Sequence, residues 1–204
     1  MKDVIIVGGG IIGMLTARTL HEAGLDVMLI DQGELGTEST WAGGGILSPL
    51  YPWNYHPAIT LLSQYGQQHY PALCQKLQAV TDVDPQWIRS GLVFTDDREL
   101  AAAQAWAQQF GYDLQHLATP EALHTCEPQL APEFRSGLFL PEIAQMRNPR
   151  IAHALRTSLR LSPITLMEFT RVTRLETSDG RVTGVYLGDQ VLKARKVILT
   201  SGAW

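Results

Sequence analysis

Three glycines near the start of the chain have the spacing of a phosphate-binding turn. Gly8, Gly10 and Gly13 form a G-x-G-x-x-G pattern that follows the apolar run of residues 3–7 and opens a segment with helical spacing of apolar residues. In such a turn the first glycine permits the tight bend, the second lets a pyrophosphate approach the backbone, and the third lets the helix pack on the strand. The N-terminus of that helix offers N–H groups and a partial positive charge to phosphate.

An acidic residue follows where such a turn requires one. Asp31 stands at the end of the second apolar run, residues 26–30. A carboxylate at this place accepts hydrogen bonds from the two hydroxyls of a ribose and repels a 2′-phosphate. The pattern therefore predicts a dinucleotide site and argues against NADP.

The elements that must position these residues form a βαβ unit, with strands at residues 3–7 and 26–30 and a helix at 11–23. A loop of small residues, 33–49, follows where a simple NAD-binding domain would continue with another strand and helix. The next buried-type strand of this kind, residues 196–200, comes only after most of the chain. This order indicates a split nucleotide-binding domain with an inserted second domain. The small residues of 39–47 permit close approach of a bulky flat ring, so FAD is favoured over NAD.

Between these segments the sequence predicts a mixture of helices and strands. Helices are expected at residues 98–110, 119–126 and 149–161, and one or two at 56–80, where Pro71 is a break or a kink. Strands are expected at 91–95, 138–140 and 164–169, followed by a hairpin of 171–177 and 181–187 around the turn Ser178-Asp179-Gly180.

Composition excludes several classes of protein. With 204 residues, 45% apolar and 18% charged, the chain is neither disordered nor collagen nor a coiled coil. No apolar run reaches the ~18 residues of a membrane span. The two cysteines, Cys74 and Cys126, are too few for a disulfide framework and lack metal-ligand spacing. We expect a cytoplasmic protein without a metal, with no membrane or nucleic-acid partner, and leave a homo-oligomer open.

The charge is unevenly distributed. The net charge is −4, but residues 1–146 carry −10 and residues 147–204 carry +6. A basic segment can mark a nucleic-acid surface. We favour the other interpretation, in which Arg150, Arg156 and Arg160 lie on an amphipathic helix and the basic segment meets the acidic one inside the fold.

Four segments together resemble a known family. They are VIIVGGGIIG (residues 4–13), ESTWAGGGILSPLYPW (38–53), MRNPR (146–150) and VILTSGAW (197–204). The sequence resembles the D-amino-acid oxidase superfamily of FAD-dependent oxidoreductases over almost the whole chain, and within it is most similar to the bacterial glycine oxidases of thiamine biosynthesis. The family often has Glu where this chain has Asp31, and the shorter acid still reaches a ribose.

The resemblance implies an α/β fold with a Rossmann-like, GR2-type FAD-binding domain and a parallel sheet. That domain is expected in residues 1–50 and 145–204, and part of an inserted α+β substrate domain in 51–144. Including the turn and acid derived above, the expected FAD-binding residues are Gly8, Gly10, Ile11, Ile12, Gly13, Asp31, Gln32, Ser39, Thr40, Gly44, Gly45, Ile46 and Val172. Val172 matches a position whose backbone meets the adenine, although the residue alone reads equally well as an ordinary strand residue.

The resemblance also implies a reaction. The CH–NH bond of glycine or a similar small amino acid is oxidised to an imine, the hydride passes to FAD, and O2 accepts the electrons and becomes H2O2. Water then hydrolyses the imine. The alternatives are a sarcosine oxidase, a D-amino-acid dehydrogenase, or an FAD-binding fragment without catalysis.

Catalytic residues are not assigned. The Arg and Tyr that hold the substrate carboxylate in this family are expected beyond Trp204. Arg147 and Arg150 are better explained as a solvent-facing helix start than as replacements. Tyr51, Trp53 and Tyr55 either border the active site or pack in a core.

Overall fold

A computed structural model describes residues 1–203, and Trp204, the last residue of the VILTSGAW segment, lies outside the described part. The strands are β1 (Lys2–Val7), β2 (Val27–Ile30), β3 (Leu92–Phe94), β4 (Gln115–Leu117), β5 (Gly137–Leu140), β6 (Thr165–Met167), β7 (Arg174–Ser178), β8 (Arg181–Leu187) and β9 (Gln190–Leu199). The helices are α1 (Ile11–Glu22), α2 (Ser39–Ala42), α3 (Pro57–Thr81), α4 (Leu100–Phe110), α5 (Pro120–Cys126) and α6 (Asn148–Arg160), with a 3₁₀ turn at Pro52–Asn54.

The chain divides into two compact units. The first comprises Met1–Gly44, Gln75–Pro85 and Arg147–Trp204, and the second comprises Gly45–Cys74 and Gln86–Met146. Helix α3 contributes residues to both. The assignment of residues 1–50 and 145–204 to an FAD-binding domain, and of 51–144 to a substrate domain, stays a prediction.

The first unit contains a six-stranded sheet in the order β6-β2-β1-β9-β8-β7. β6, β2, β1 and β9 pair in parallel, whereas β7, β8 and the start of β9 form an antiparallel meander. Since β2 lies on one side of β1 and β9 on the other, the direction of the chain path reverses at β1, which is where open α/β sheets place their ligands. The predicted α/β fold with a parallel sheet is confirmed.

Both faces of the parallel strands are covered. Side chains alternate along a strand. Ile5 therefore lies on one face of the sheet, where it packs with Met28 and Ile30 of β2 and with Val185 of β8. On the other face α1 contacts β1, β2 and α6, and Met14 is fully buried. Burial on both faces explains why β1 and β2 are continuous apolar runs.

The element boundaries depart from the prediction in a few places. β9 starts at Gln190, well before the expected residue 196, because its first residues pair with β8 rather than with β1. β7 starts at Arg174, so Val172 precedes the strand instead of lying in it. The loop of 33–49 contains the short helix α2, and β4 was not predicted. Pro71 lies inside one continuous helix, α3.

The second unit has its own small sheet and core. β3, β5 and β4 form an antiparallel sheet in that order. Phe94, Trp106, Leu138 and Leu140 are buried together, and Trp53 packs against them with its ring centroid 5.0 Å from that of Phe94.

Within residues 1–203, no helix combines the length and the apolarity that crossing a lipid bilayer requires.

Candidate functional site

A cavity of about 450 Å³ opens at the carboxyl ends of three neighbouring parallel strands in the first unit. Val7, Ile30 and Leu199, the last residues of β1, β2 and β9, all line it. Its volume lies within the ~300–1,000 Å³ of small-molecule sites. It stands at the point where the sheet order reverses, the expected ligand position for this topology.

The glycine turn between β1 and α1 is required by packing as well as by conformation. Gly8 has φ +110°, which side-chain-bearing residues rarely adopt, and a Cβ there would overlap the carbonyl group of Thr200. A Cβ on Gly13 would overlap the carbonyl oxygen of Gly8, so only glycine lets α1 approach the turn this closely. Gly10 is different, because a Cβ there would only come within 3.3 Å of Thr40 Oγ1.

The N–H groups of the turn are partly paired and partly open. Gly9 N–H donates to Asp31 Oδ2 at 2.5 Å, and Ile11 N–H donates to Thr40 Oγ1 at 2.8 Å. Among the described residues, the N–H groups of Gly10 and Ile12 have no hydrogen-bond acceptor. Two open N–H groups at the N-terminus of a helix can donate to a phosphate.

Asp31 closes the turn from the end of β2. One carboxylate oxygen accepts from Gly9 N–H and the other accepts from Gly33 N–H at 2.8 Å. A carboxylate has about four acceptor positions. Asp31 therefore orders the loop and still has capacity for two hydroxyl groups on its cavity side.

The segment that joins β6 to β7 forms another wall. Thr170 N–H donates to Asp31 O at 2.8 Å and Phe169 N–H to Gly33 O at 3.1 Å, so this segment follows the end of β2. Val172 packs its side chain on the core of the first unit. Within the described residues its own N–H and C=O make no hydrogen bond, which leaves a polar backbone edge on the cavity wall.

Partly exposed ion pairs hold the loop after β2 in place. Arg156 Nη1 lies 2.8 Å from Glu34 Oε1 and donates to Leu35 O, and Arg160 Nη2 lies 2.6 Å from Glu168 Oε2. Burial raises the pKa of the Glu168 carboxyl, but the hydrogen bonds from Arg160 and Leu35 N–H and the charges of both arginines lower it further, so it lies below its usual value. The basic segment thus meets the acidic one at Arg156 and Glu34, in an ion pair whose carboxylate side chain is 40% exposed.

The structure brings together about half of the predicted cofactor residues. Those that line the cavity are Gly8, Gly10, Asp31, Gln32, Ser39, Thr40 and Val172. Ile11, Ile12 and Gly13 form the first turn of α1 beside it. Gly44 ends the first segment of the first unit, while Gly45 and Ile46 belong to the second unit. None of the three is part of the cavity wall.

Sequence reasoning missed part of the wall, namely Gly33, Gly36, Thr37, Glu38, Thr170, Arg171, Thr173, Arg174, Leu175, Thr200, Ser201 and Gly202. The residues after β9 follow from the rule that ligands bind at the carboxyl ends of parallel strands. The segment 170–175 carries no local motif and enters the wall only through tertiary pairing.

The other candidate residues have separate roles in the structure. Trp53 packs in the core of the second unit and its Nε1 donates to Glu99 Oε2 at 2.6 Å. Tyr51 and Tyr55 are 39% and 50% exposed. Arg147 is exposed and precedes α6, as expected of a helix start.

Comparison with known proteins shows which family the sequence matches. The sequence model of the family described as "FAD dependent oxidoreductase" (DAO) matches residues 3–204. Glycine oxidase of Pseudomonas putida KT2440 is 43% identical over the whole chain, which spans 56% of that protein. The protein named bifunctional protein ThiO/ThiG of Nostoc sp. PCC 7120 is 24% identical over the whole chain, which spans 31% of it.

A solved structure shows the same architecture. The crystal structure of glycine oxidase from Bacillus cereus ATCC 14579 superposes with a TM-score of 0.88 and 25% identity, covering 100% of this chain and 56% of that one. The chain therefore spans just over half the length of the glycine oxidases it matches.

Proposed function

The chain belongs to the DAO family of FAD-dependent oxidoreductases, and from this premise we propose that it binds FAD and serves the oxidation of glycine or a similar small amino acid. The net reaction converts the CH–NH bond of the substrate to an imine and O2 to H2O2, and its proposed place is thiamine biosynthesis. Similarity to a glycine oxidase at 43% identity supports the substrate class.

The cavity at the carboxyl ends of β1, β2 and β9 is the observation that carries the proposal. It combines two open N–H groups, at Gly10 and Ile12, with the Asp31 carboxylate. The N–H groups fit a pyrophosphate and the carboxylate fits a ribose. The residues present therefore fit the adenosine diphosphate half of FAD. When bound, FAD supplies the acceptor for the hydride from the substrate Cα.

Each group of the protein has a defined task in this proposal. The N–H groups of Gly10 and Ile12 donate to the pyrophosphate, and the α1 N-terminus adds its partial positive charge. Asp31 accepts hydrogen bonds from the ribose hydroxyls, and the open N–H and C=O of Val172 pair with the edge of the adenine. From the family resemblance we propose further FAD contacts at Ile11, Gln32, Ser39, Thr40, Gly44, Gly45 and Ile46.

The test uses the purified chain supplied with FAD. We expect an absorbance band near ~450 nm that remains with the protein after gel filtration. Little or no glycine-dependent H2O2 is expected from the 204-residue chain by itself, because none of its residues is assigned to bind the substrate carboxylate, and the reaction itself is to be measured on a full-length protein. Sarcosine and D-alanine, measured in parallel, separate glycine oxidation from the two related activities. Retained flavin with no turnover of any of the three by the full-length protein would instead assign the chain an FAD-binding role alone, and loss of the flavin would contradict the cofactor assignment.

A further inference from the structure

Two basic side chains, Arg171 and Arg174, line the cavity, and the proposed function gives neither of them a task. Arg171 precedes Val172 in the segment between β6 and β7, and Arg174 is the first residue of β7. Both side chains are exposed, so neither is committed to a buried ion pair. Their surroundings differ in one respect that decides what each can bind.

Among residues 1–203, Arg174 is stacked on an aromatic ring and Arg171 is not. In the antiparallel β7–β8 pair Arg174 lies directly opposite Tyr186, and directly opposite residues face each other on the same side of a sheet. The guanidinium carbon is 3.4 Å from the centroid of the Tyr186 ring. Thr173 strengthens this register, since its N–H and its hydroxyl both donate to Tyr186 O, at 2.9 and 3.2 Å.

A stacked guanidinium offers one free face. Because the group is planar and binds aromatic rings through its faces, Tyr186 covers one side of Arg174 and leaves the other side open. A lysine at the same place would carry the charge but no flat surface. The Arg174–Tyr186 pair is therefore suited to a flat aromatic ligand rather than to a phosphate alone.

The position of the Arg174–Tyr186 pair along the cavity indicates which part of a dinucleotide would lie beside it. Thr170 N–H is bonded to Asp31 O, so the wall segment starts beside the proposed ribose position. Beyond Asp31 it presents the open backbone edge of Val172 and then Arg174. A polar edge next to a flat cationic surface matches the hydrogen-bonding edge and the ring face of a purine.

We propose that Arg174 is an adenine-binding residue, which receives the purine ring of the cofactor on the guanidinium face that Tyr186 leaves open. The inference deepens the proposed function, because it rests on the cavity holding an adenine dinucleotide, but it does not depend on which amino acid is oxidised.

The test measures the Kd of ADP for the purified 204-residue chain by calorimetry at fixed ionic strength. R174A and R174K are both expected to weaken ADP binding about fivefold to thirtyfold, the range of a cation–π or base-stacking contact. R181A is the control, since it removes the same charge from an exposed arginine of the same hairpin that does not line the cavity, and it is expected to change Kd less than about twofold. Y186F keeps the ring and should bind ADP like the wild type.

Three results would overturn the proposal. They are wild-type affinity in R174A, wild-type affinity in R174K, which would show that charge alone matters, and no ADP binding by the unaltered chain. Unchanged thermal unfolding of R174K without ligand excludes misfolding as the cause of a loss. Loss of ADP affinity in R174A would support this inference whichever amino acid the full-length protein oxidises. Amino-acid oxidation by the full-length protein together with wild-type ADP affinity in R174A would support the proposed reaction and overturn this inference.

Discussion

Single residues in the glycine turn act for different physical reasons. Gly8 is needed for its positive φ, and Gly13 for the space that the Gly8 carbonyl oxygen takes up. Gly10 meets neither constraint, because a Cβ there would stay in the range of a slightly tight contact with Thr40. Its value lies in the open N–H group on the cavity side, where a Cβ would obstruct a ligand.

Replacing Gly13 by alanine is expected to lower the free energy of unfolding by about 1–3 kcal/mol, because the new Cβ overlaps the Gly8 carbonyl oxygen. The same change at Gly66, a helical glycine whose Cβ would only touch the Tyr70 ring at 3.5 Å, should raise it by up to about 1 kcal/mol. Urea unfolding of both variants measures the difference. Equal changes in the free energy of unfolding in the two variants would show that helix propensity alone, and not the close approach of α1 to the turn, determines the effect of the substitution at Gly13.

Acid is expected to weaken the contacts of Glu168. Its folded-state pKa is depressed, so its contribution is complete above the unfolded value of about 4.3 and is lost as the pH falls through the folded-state value. E168Q should therefore be less stable than the wild type near neutral pH, and should lose less stability on acidification.

Urea midpoints measured at about pH 6 and about pH 3 test this expectation. E133Q is the control, because Glu133 is exposed and makes no hydrogen bond or ion pair among the described residues. If E168Q and E133Q respond to acid alike, the ion pair with Arg160 does not carry the effect.

At the scale of elements, the β7–β8 hairpin links a local turn to the cavity. Asp179 and Gly180 have φ values of +52° and +73°, the signs that a two-residue type I′ turn requires. Beside the turn Ser178 pairs with Arg181, and a bulge between Glu176 and Thr177 then shifts the register by one residue, so that Arg174 faces Tyr186. The turn and the bulge together therefore set a contact that is formed at the opposite end of the hairpin.

Replacing Gly180 by alanine should destabilise the protein by about 1–2 kcal/mol. Nothing lies within 4 Å of the position that a Cβ would occupy, so the cost is conformational and not steric. D179N is the matched control, since Asn tolerates positive φ, and should stay within about 0.5 kcal/mol of the wild type. Chemical unfolding checks both; a neutral G180A would mean that the turn does not hold this conformation.

At the scale of the whole molecule, the cavity is built from the two ends of the described chain. One wall comes from residues 7–40 and the other from residues 170–202, and both belong to the first unit. The long segment between these two stretches brings the chain back so that β9 pairs with β1, which places the two walls side by side. A ligand that bridges these walls therefore stabilises a long-range pairing and not one local element.

Binding of FAD should consequently raise the melting temperature. At about 100 times its Kd a ligand adds ~2.7 kcal/mol of stability, which for a chain of this size corresponds to roughly 5–10 °C. NADP at the same concentration should leave the melting temperature unchanged, because Asp31 repels the 2′-phosphate. Differential scanning calorimetry with each nucleotide measures both shifts. Equal shifts would contradict the proposed role of Asp31.

The sequence alone was sufficient for the βαβ start, the glycine turn and Asp31. These features depend on short-range rules: apolar runs with a defined period, glycines at fixed spacing, and a polar residue where a strand ends. The hairpin turn at Asp179 and Gly180 belongs to the same group. Their physical causes act within a few residues, so one sequence is enough to recognise them.

The tertiary structure alone decided which distant segments complete the cavity. Thr200 reaches Gly8 because β9 pairs with β1, and Arg174 reaches the wall because β7 pairs with β8 and the segment before it is bonded to Asp31. The β1–β9 pairing leaves no local signal, since a residue's partner across a sheet is selected by the packing of the whole core. The hairpin turn predicts that β7 pairs with β8, but it indicates neither the bulge in that pairing nor the bond from Thr170 to Asp31. The sequence thus determined what the first strand and turn are able to bind, and the fold determined which residues stand opposite them.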